Sequence, residues 1–259
     1  MSEAERVKVG DPSPTHVRAL LETPPWSARL QVLTLLGVQA PIGIPIDAPN
    51  RLWLILDTQD IRDLDDEWRM PLMRHRLRRV YEEQIDLTVT TSDGVEALLE
   101  GSSRRSLETR WEIRHASAIH DPRGRFVELS AAVGRLPDGM FERITRPLYL
   151  QAYRAFNAME VAQLDSSALT IANGEAASAL SRLVCILEEG AHPSIEWLLP
   201  AARETALGRR IAPWFDGFAA GVAAEVLSEV TKVLRADFPD KEWIKETASY
   251  VLRPPPGRS

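Results

Sequence analysis

The sequence predicts an α+β protein in two parts, a mixed sheet with flanking helices followed by a C-terminal helical bundle. Three observations carry this. Short apolar or β-branched runs bounded by breakers, at 51–57 and 85–91, read as buried strands. Asp121-Pro122-Arg123-Gly124 sets proline and glycine where a tight turn favours them. Beyond Arg125 the apolar period becomes helical and remains so.

Taken in order, residues 1–12 read as a flexible tail, polar and charged with no secretory signal. From Ser13 a helix is expected, with Val17, Leu20 and Leu21 on one face and Pro24-Pro25 ending it. A second helix is expected over 26–36, with Leu30, Leu33 and Leu36 as its stripe and Gly37 as its stop. Pro41, Gly43, Pro45 and Pro49 make the next stretch a loop. It leads into the first strand, 51–57. Residues 60–84 are polar, with a helix expected in the second half, where the Arg74, Arg76, Arg78 and Arg79 run lies beside His75. Followed by Glu82-Glu83, that run reads as a solvated helix face with ion pairs. The second strand is 85–91, and Ser92-Asp93-Gly94 is expected to cap a short helix over 95–99. A third strand is expected over 111–120, with His115 and His120 facing opposite sides.

In the C-terminal part, Ala172, Ala176, Ala179, Leu180, Leu183 and Leu187 form one apolar stripe, with Ser166 or Ser167 as its N-cap. Phe218, Val222, Val226, Val230 and Val233 form another. The expected domains are therefore 13–125 and 126–252, with 1–12 and 253–259 as tails.

Composition excludes several classes. A net charge of −6 argues against a nucleic-acid partner, since phosphate binding draws on clustered cations. One cysteine, Cys185, forbids an internal disulfide and lies in an apolar stripe as a small hydrophobe. No apolar run is long enough for a membrane helix, so a soluble, cytoplasmic protein is expected. The five histidines show no metal spacing, and the acidic run Asp63, Asp65, Asp66, Glu67 lacks the glycine of a calcium loop. No phosphate-binding glycine loop and no nucleophile elbow occurs.

The order of elements is more telling. A Gly-containing loop with Gly43 precedes the apolar strand Leu52-Trp53-Leu54-Ile55. A second strand carries Asp86 in Gln84-Ile85-Asp86-Leu87-Thr88-Val89. Trp111-Glu-Ile-Arg-His115 and Ile119-His-Asp121-Pro-Arg-Gly124-Arg125-Phe follow, and His192-Pro193-Ser-Ile-Glu196-Trp197-Leu198 lies in the helical part. Over about residues 15–215 this resembles the DNA polymerase β-like nucleotidyltransferase superfamily, in its small bacterial form related to aminoglycoside nucleotidyltransferases. The resemblance implies a nucleotidyltransferase-type sheet domain with strands 51–57 and 84–91 adjacent. It makes Asp86 the third of three catalytic acids.

In that family two further acids, two residues apart and so on one face, join the third to hold two Mg²⁺ ions on a triphosphate. Counted from Gly43, those positions are Pro49 and Arg51. Gly37-Val38 stands for the family's Gly-Ser pair, and Glu196 for its phosphate-binding lysine. Asp47 and Asp57 lie nearby out of register, although a shifted pairing through Asp47 is an alternative. A metal site has thus exchanged carboxylates for a cation, and a phosphate site has exchanged a cation for an acid. The resemblance implies a degenerate site and a non-catalytic binding or scaffold protein, with Gly43, Asp47, Asn50, Arg51 and Glu196 as cleft residues, no metal and no cofactor. The cleft between the two parts would hold a small molecule or a protein partner, and a homodimer is possible. One alternative is an active enzyme moving a nucleotide from NTP to a small-molecule or protein acceptor with Mg²⁺. Another is an enzyme using the cleft without two metals.

Overall fold

The computed structural model describes residues 14–45, 48–74, 77–82, 85–134, 136–137, 139–161, 166–217 and 223–244. The tails 1–12 and 253–259, Asp47, His75, Arg76, Phe218 and Val222 lie outside them. The chain divides into two compact units, Met1–Pro137 and Asp138–Ser259. The helix 125–133, assigned to the bundle from the sequence, belongs to the first unit.

The first unit is built on five strands: β1 (Thr34–Val38), β2 (Asn50–Leu56), β3 (Arg78–Glu82), β4 (Ile85–Thr91) and β5 (Ala116–His120). Their order is β3-β4-β2-β1-β5. β2 and β4 are adjacent, as expected, and run parallel, and the other pairings are antiparallel. Strand side chains alternate between faces. One face carries Leu52, Leu54, Leu56, Leu87 and Val89, and it packs with Val17 of α1 (Pro14–Glu22) and Leu72 of α2 (Asp66–Met73). The other face carries Arg51, Trp53, Asp86, Thr88 and Thr90, all buried.

Three expected elements differ. Residues 34–38 form β1, not the end of a helix, and Gly37 pairs with Leu52 instead of capping. The run Thr34-Leu35-Leu36-Gly37-Val38 is buried on both faces, so its apolar positions satisfy a helical and a strand reading equally. Arg78 and Arg79 lie on β3, not on a helix. Residues 111–114 close α4 (Arg104–Arg114), and only 116–120 form a strand. The Ser103 side chain caps α4 by accepting from the Ser106 N–H at 3.1 Å. His115 follows as its C-cap with its ring stacked on Trp111, and His120 at the end of β5 lies 2.6 Å from the Leu30 carbonyl.

Other local readings hold with small shifts. α3 (Ser92–Leu99) starts earlier than expected, because Thr91 caps it through the Gly94 N–H at 3.2 Å. The 121–124 turn forms with Gly124 at φ +70°, a left-handed conformation that favours glycine. Asp121 then accepts from the N–H groups of Arg125 and Phe126, both at 3.0 Å, and so caps α5 (Arg125–Val133).

In the second unit the regular elements among the described residues are all helices: α6 (Met140–Val161), α7 (Ser166–Glu189), α8 (Ile195–Glu204), α9 (Ala206–Gly217) and α10 (Ala223–Asp237). The expected α7 stripe is buried at Ala172, Ala176, Ala179, Leu180 and Leu183, and Leu187 is half-buried. Cys185 is buried, and burial with nearby Glu189, Glu188 and Glu204 pushes its thiol well above the usual range. The second stripe is buried at Val226 and Val230 and half-buried at Val233. Among the described residues no helix is long and apolar enough to cross a membrane.

Leu183 has no exposed surface. Leu183→Asp removes its packing and buries an unpaired charge, a loss of about 4 kcal/mol or more. Circular dichroism melting should show the second unit unfolded. An unchanged melting temperature would refute the stripe as core.

Candidate functional site

The parallel register of β2 and β4 sets Arg51 opposite Asp86. The Arg51 Nε donates to Asp86 Oδ2 at 3.2 Å, and its Nη1 donates to Glu112 Oε1 at 3.1 Å. Glu112 lies on α4, where its second oxygen accepts from the Trp53 indole N–H at 2.8 Å. Arg79 on β3 brings a second guanidinium 3.6 Å from Asp86 and 4.0 Å from Glu112. Arg105 on α4 lies 5.7 Å over the Trp53 ring. The core of the cluster is therefore two cations and two carboxylates. Arg51 is 5% exposed and Glu112 not at all.

Burying such charges is costly, and only mutual pairing with well-made hydrogen bonds offsets it. Burial pushes the Glu112 carboxyl above its ordinary range, while Arg51, Arg105, Arg79 and the Trp53 N–H pull against that rise without cancelling it. Each carboxylate is turned toward a guanidinium, and Glu112 has both oxygens engaged.

The expected site residues are distributed as follows. Asp86 and Arg51 come together as the register requires. Asn50, half-buried, opens β2 opposite Ile85. Gly43 is exposed in the loop between β1 and β2, with φ +94°. Asp47 lies outside the described residues. Glu196 is exposed in the first turn of α8, in the second unit. Asp57 lies past the other end of β2, away from the Arg51 end.

Glu112 and Arg79 are missed by the sequence reading because both were placed on the wrong element. Read as a helix, 104–114 sets Arg105, Glu108 and Glu112 at helical spacing on one side, a charged stripe on a segment whose residues 106–113 are all buried. That juxtaposition would have singled out Glu112.

A second polar cluster lies at the opposite end of β2 and β4. Asp57 accepts from Ser92 at 2.8 Å, from Arg123 at 2.6 Å and from Arg125 at 3.1 Å, and Asp60 accepts from Arg123 at 2.5 Å. Burial pulls the Asp57 carboxyl upward, but hydrogen bonds from Ser92, Arg125 and Arg123 outweigh it and hold it below the usual value. These bonds tie the 121–124 turn to the sheet.

Two outcomes follow. Arg51→Met leaves Asp86 and Glu112 buried without their shared cation and should cost about 3–5 kcal/mol in urea unfolding. A loss under about 1 kcal/mol would mean that Arg79 alone satisfies both. For Asp57 the depressed carboxyl stabilises the folded chain above its unfolded value near pH 4, and that stability is lost as pH falls through the folded value. The stability gap between wild type and Asp57→Asn should therefore close between about pH 5 and pH 3. A gap independent of pH would contradict the ion pairing.

No known family model matches the chain, and no curated protein matches it. Among solved structures the chain is similar to a nucleotidyltransferase-like protein from Exiguobacterium sibiricum 255-15. The two are 16% identical, the likeness covers 88% of this chain and 80% of that one, and the TM-score is 0.32.

Proposed function

We propose that the first unit is a nucleotidyltransferase-like module with a degenerate metal and triphosphate site, acting as a non-catalytic binding or scaffold module. The supporting observation is the Arg51 guanidinium buried between Asp86 and Glu112. By the sequence resemblance, position 51 belongs to the second metal-binding acid and Asp86 to the third. A cation that is part of the chain occupies the place where the family gathers carboxylates around Mg²⁺.

The residues present do not fit the metal. Two-metal chemistry needs several carboxylate oxygens converging on one open point. Here Asp86 Oδ2 and Glu112 Oε1 both accept from Arg51, and Glu112 Oε2 accepts from the Trp53 indole. Among the described residues no group of three or more His, Cys, Asp or Glu is placed to hold a metal ion. Arg79, within 4.0 Å of both carboxylates, adds further positive charge. A magnesium ion would have to displace a guanidinium that is already paired and shielded from water.

Calorimetry of the full chain with ATP, with and without Mg²⁺, should show no stoichiometric binding in either case. Tight Mg²⁺-dependent ATP binding that is lost in Asp86→Asn would overturn the proposal in favour of a working nucleotidyltransferase. Arg51→Asp supplies a complementary readout, because it sets a third carboxylate beside Asp86 and Glu112. Its melting temperature should fall by about 10 °C in EDTA and recover in millimolar Mg²⁺ or Mn²⁺. Failure of either ion to restore it would sever the link between this cluster and a metal site.

A further inference from the structure

We infer that the space between α4 and the face of β2 and β4 that carries Arg51 and Asp86 is a binding site for ordered water, bridging Asp86, Thr88, Thr109 and Arg105. The Asp86 carboxylate meets Arg51 and Arg79 through Oδ2, and among the described residues its Oδ1 is buried without a hydrogen-bond partner. The Thr88 hydroxyl, the Thr109 hydroxyl and the Arg105 Nη2 are in the same condition. Asp86 is 6% exposed, and Thr88 and Thr109 have no exposed surface. Buried polar atoms almost always have a partner, because one left unbonded carries its full desolvation cost.

The four atoms face one another across two layers. Asp86 and Thr88 are two apart on β4 and so share a face, with a separation of roughly 7 Å. Thr88 lies opposite Trp53 in the parallel register, and the Arg105 guanidinium lies 5.7 Å over the Trp53 ring. At about 100° per residue, Arg105, Thr109 and Glu112 fall within roughly 60° of one another around α4. Glu112 is bonded to Arg51 and Trp53, so this side of α4 meets the sheet. A carboxylate oxygen and a hydroxyl of β4 are thereby set against a hydroxyl and a guanidinium of α4.

The chemistry of these groups selects the occupant. An ionised carboxylate oxygen only accepts, a guanidinium nitrogen only donates, and a hydroxyl does both. The occupant must therefore donate and accept at once. Charge argues against an ion. Among the buried and half-buried groups joined in pairs here, Arg51, Arg79 and Arg105 balance Asp86, Glu112 and Glu108. An added charge would upset that balance where screening is weak. Water meets every requirement: it donates to Asp86 Oδ1, accepts from Arg105 Nη2 and completes both hydroxyls, with the two to four bonds usual for a buried molecule. Asp86 is then held on both oxygens, by arginine on one and by water on the other.

The test is nuclear magnetic resonance of the full chain labelled at threonine methyls, each methyl assigned by the signal that its substitution removes. Water held in the interior should give cross-relaxation to the Thr88 and Thr109 methyls with the sign of a long-lived complex. Thr88→Val should weaken the water signal at Thr109, and Thr88→Ser, which keeps the hydroxyl, should retain it. Thr88→Val and Thr109→Val should each lower the melting temperature by at least about 3 °C, since a bonded hydroxyl is lost at nearly constant shape. Absence of the water signals in the unmodified chain, or a higher melting temperature in both valine variants, would reveal a dry interior and overturn the water site alone. Titration with Mn²⁺ should leave both methyl resonances sharp. Their selective broadening would place a metal at Asp86 and overturn the water site and the degenerate-site proposal together.

Discussion

A buried guanidinium cannot stand alone, and the first unit is arranged around that constraint. Arg51 sits on the inner face of a central strand, where hydration is lost and only paired charge compensates. Its two carboxylates come from different elements, Asp86 from the neighbouring parallel strand and Glu112 from α4. The pairing therefore fixes the β2–β4 register and the position of α4 together. A one-residue slip would turn Arg51 and Trp53 to the face that holds Leu52, Leu54 and Leu87, and would bring leucines against Glu112. Neither outcome is tolerable in a packed interior.

The two ends of the parallel pair are used differently. At the end where Arg51 and Asp86 lie, those two and Glu112 are closed off from bulk water, and Arg79 alone of the cluster's four ions retains solvent contact. At the other, Asp57 and Asp60 face arginines that retain solvent contact, with Arg125 38% exposed at its side chain. Exposed pairs of this kind contribute little stability, typically under about 1 kcal/mol each. Their role is positional: with Asp121 capping α5 and Thr34 bonding Asp121 at 2.9 Å, they fasten the turn after β5 to the ends of β1 and β2. That turn in turn sets where β5 ends.

Much of this was legible in the residues. β2 and β4 were readable because breakers bound them, with a continuous apolar run filling the first and β-branched residues the second, and the Asp121–Gly124 turn because its proline and glycine sit where a turn favours them. The α7 stripe was legible because five of its members repeat at helical spacing on a long segment. What failed had a common physical cause. β1 is short and apolar on both faces, so no alternation marks its period. α4 buries residues that a surface helix would expose, including Arg110, Glu108 and Glu112, so its polarity disguised its place in the core. Arg79 sat in a charge run that reads as solvated, and only pairing of β3 with β4 carries it to Asp86. Partners set by tertiary contact leave no local trace in sequence.

The same network bears on how firmly the proposed degenerate state is held. Removing Arg51 alone leaves Asp86 and Glu112 with only the longer contacts to Arg79, and removing either carboxylate strands part of the guanidinium. Each single step costs on the order of 3–5 kcal/mol, against a total stability of about 5–15 kcal/mol for a domain. A metal ion held there by an acid at position 51 would also have to move Arg79, which lies 3.6 Å from Asp86 and 4.0 Å from Glu112. The changes are coupled through shared contacts, so their costs do not simply add. Arg51 therefore does two things at once: it fills a position that the resembled chemistry reserves for an acid, and it makes the surrounding carboxylates depend on its remaining there.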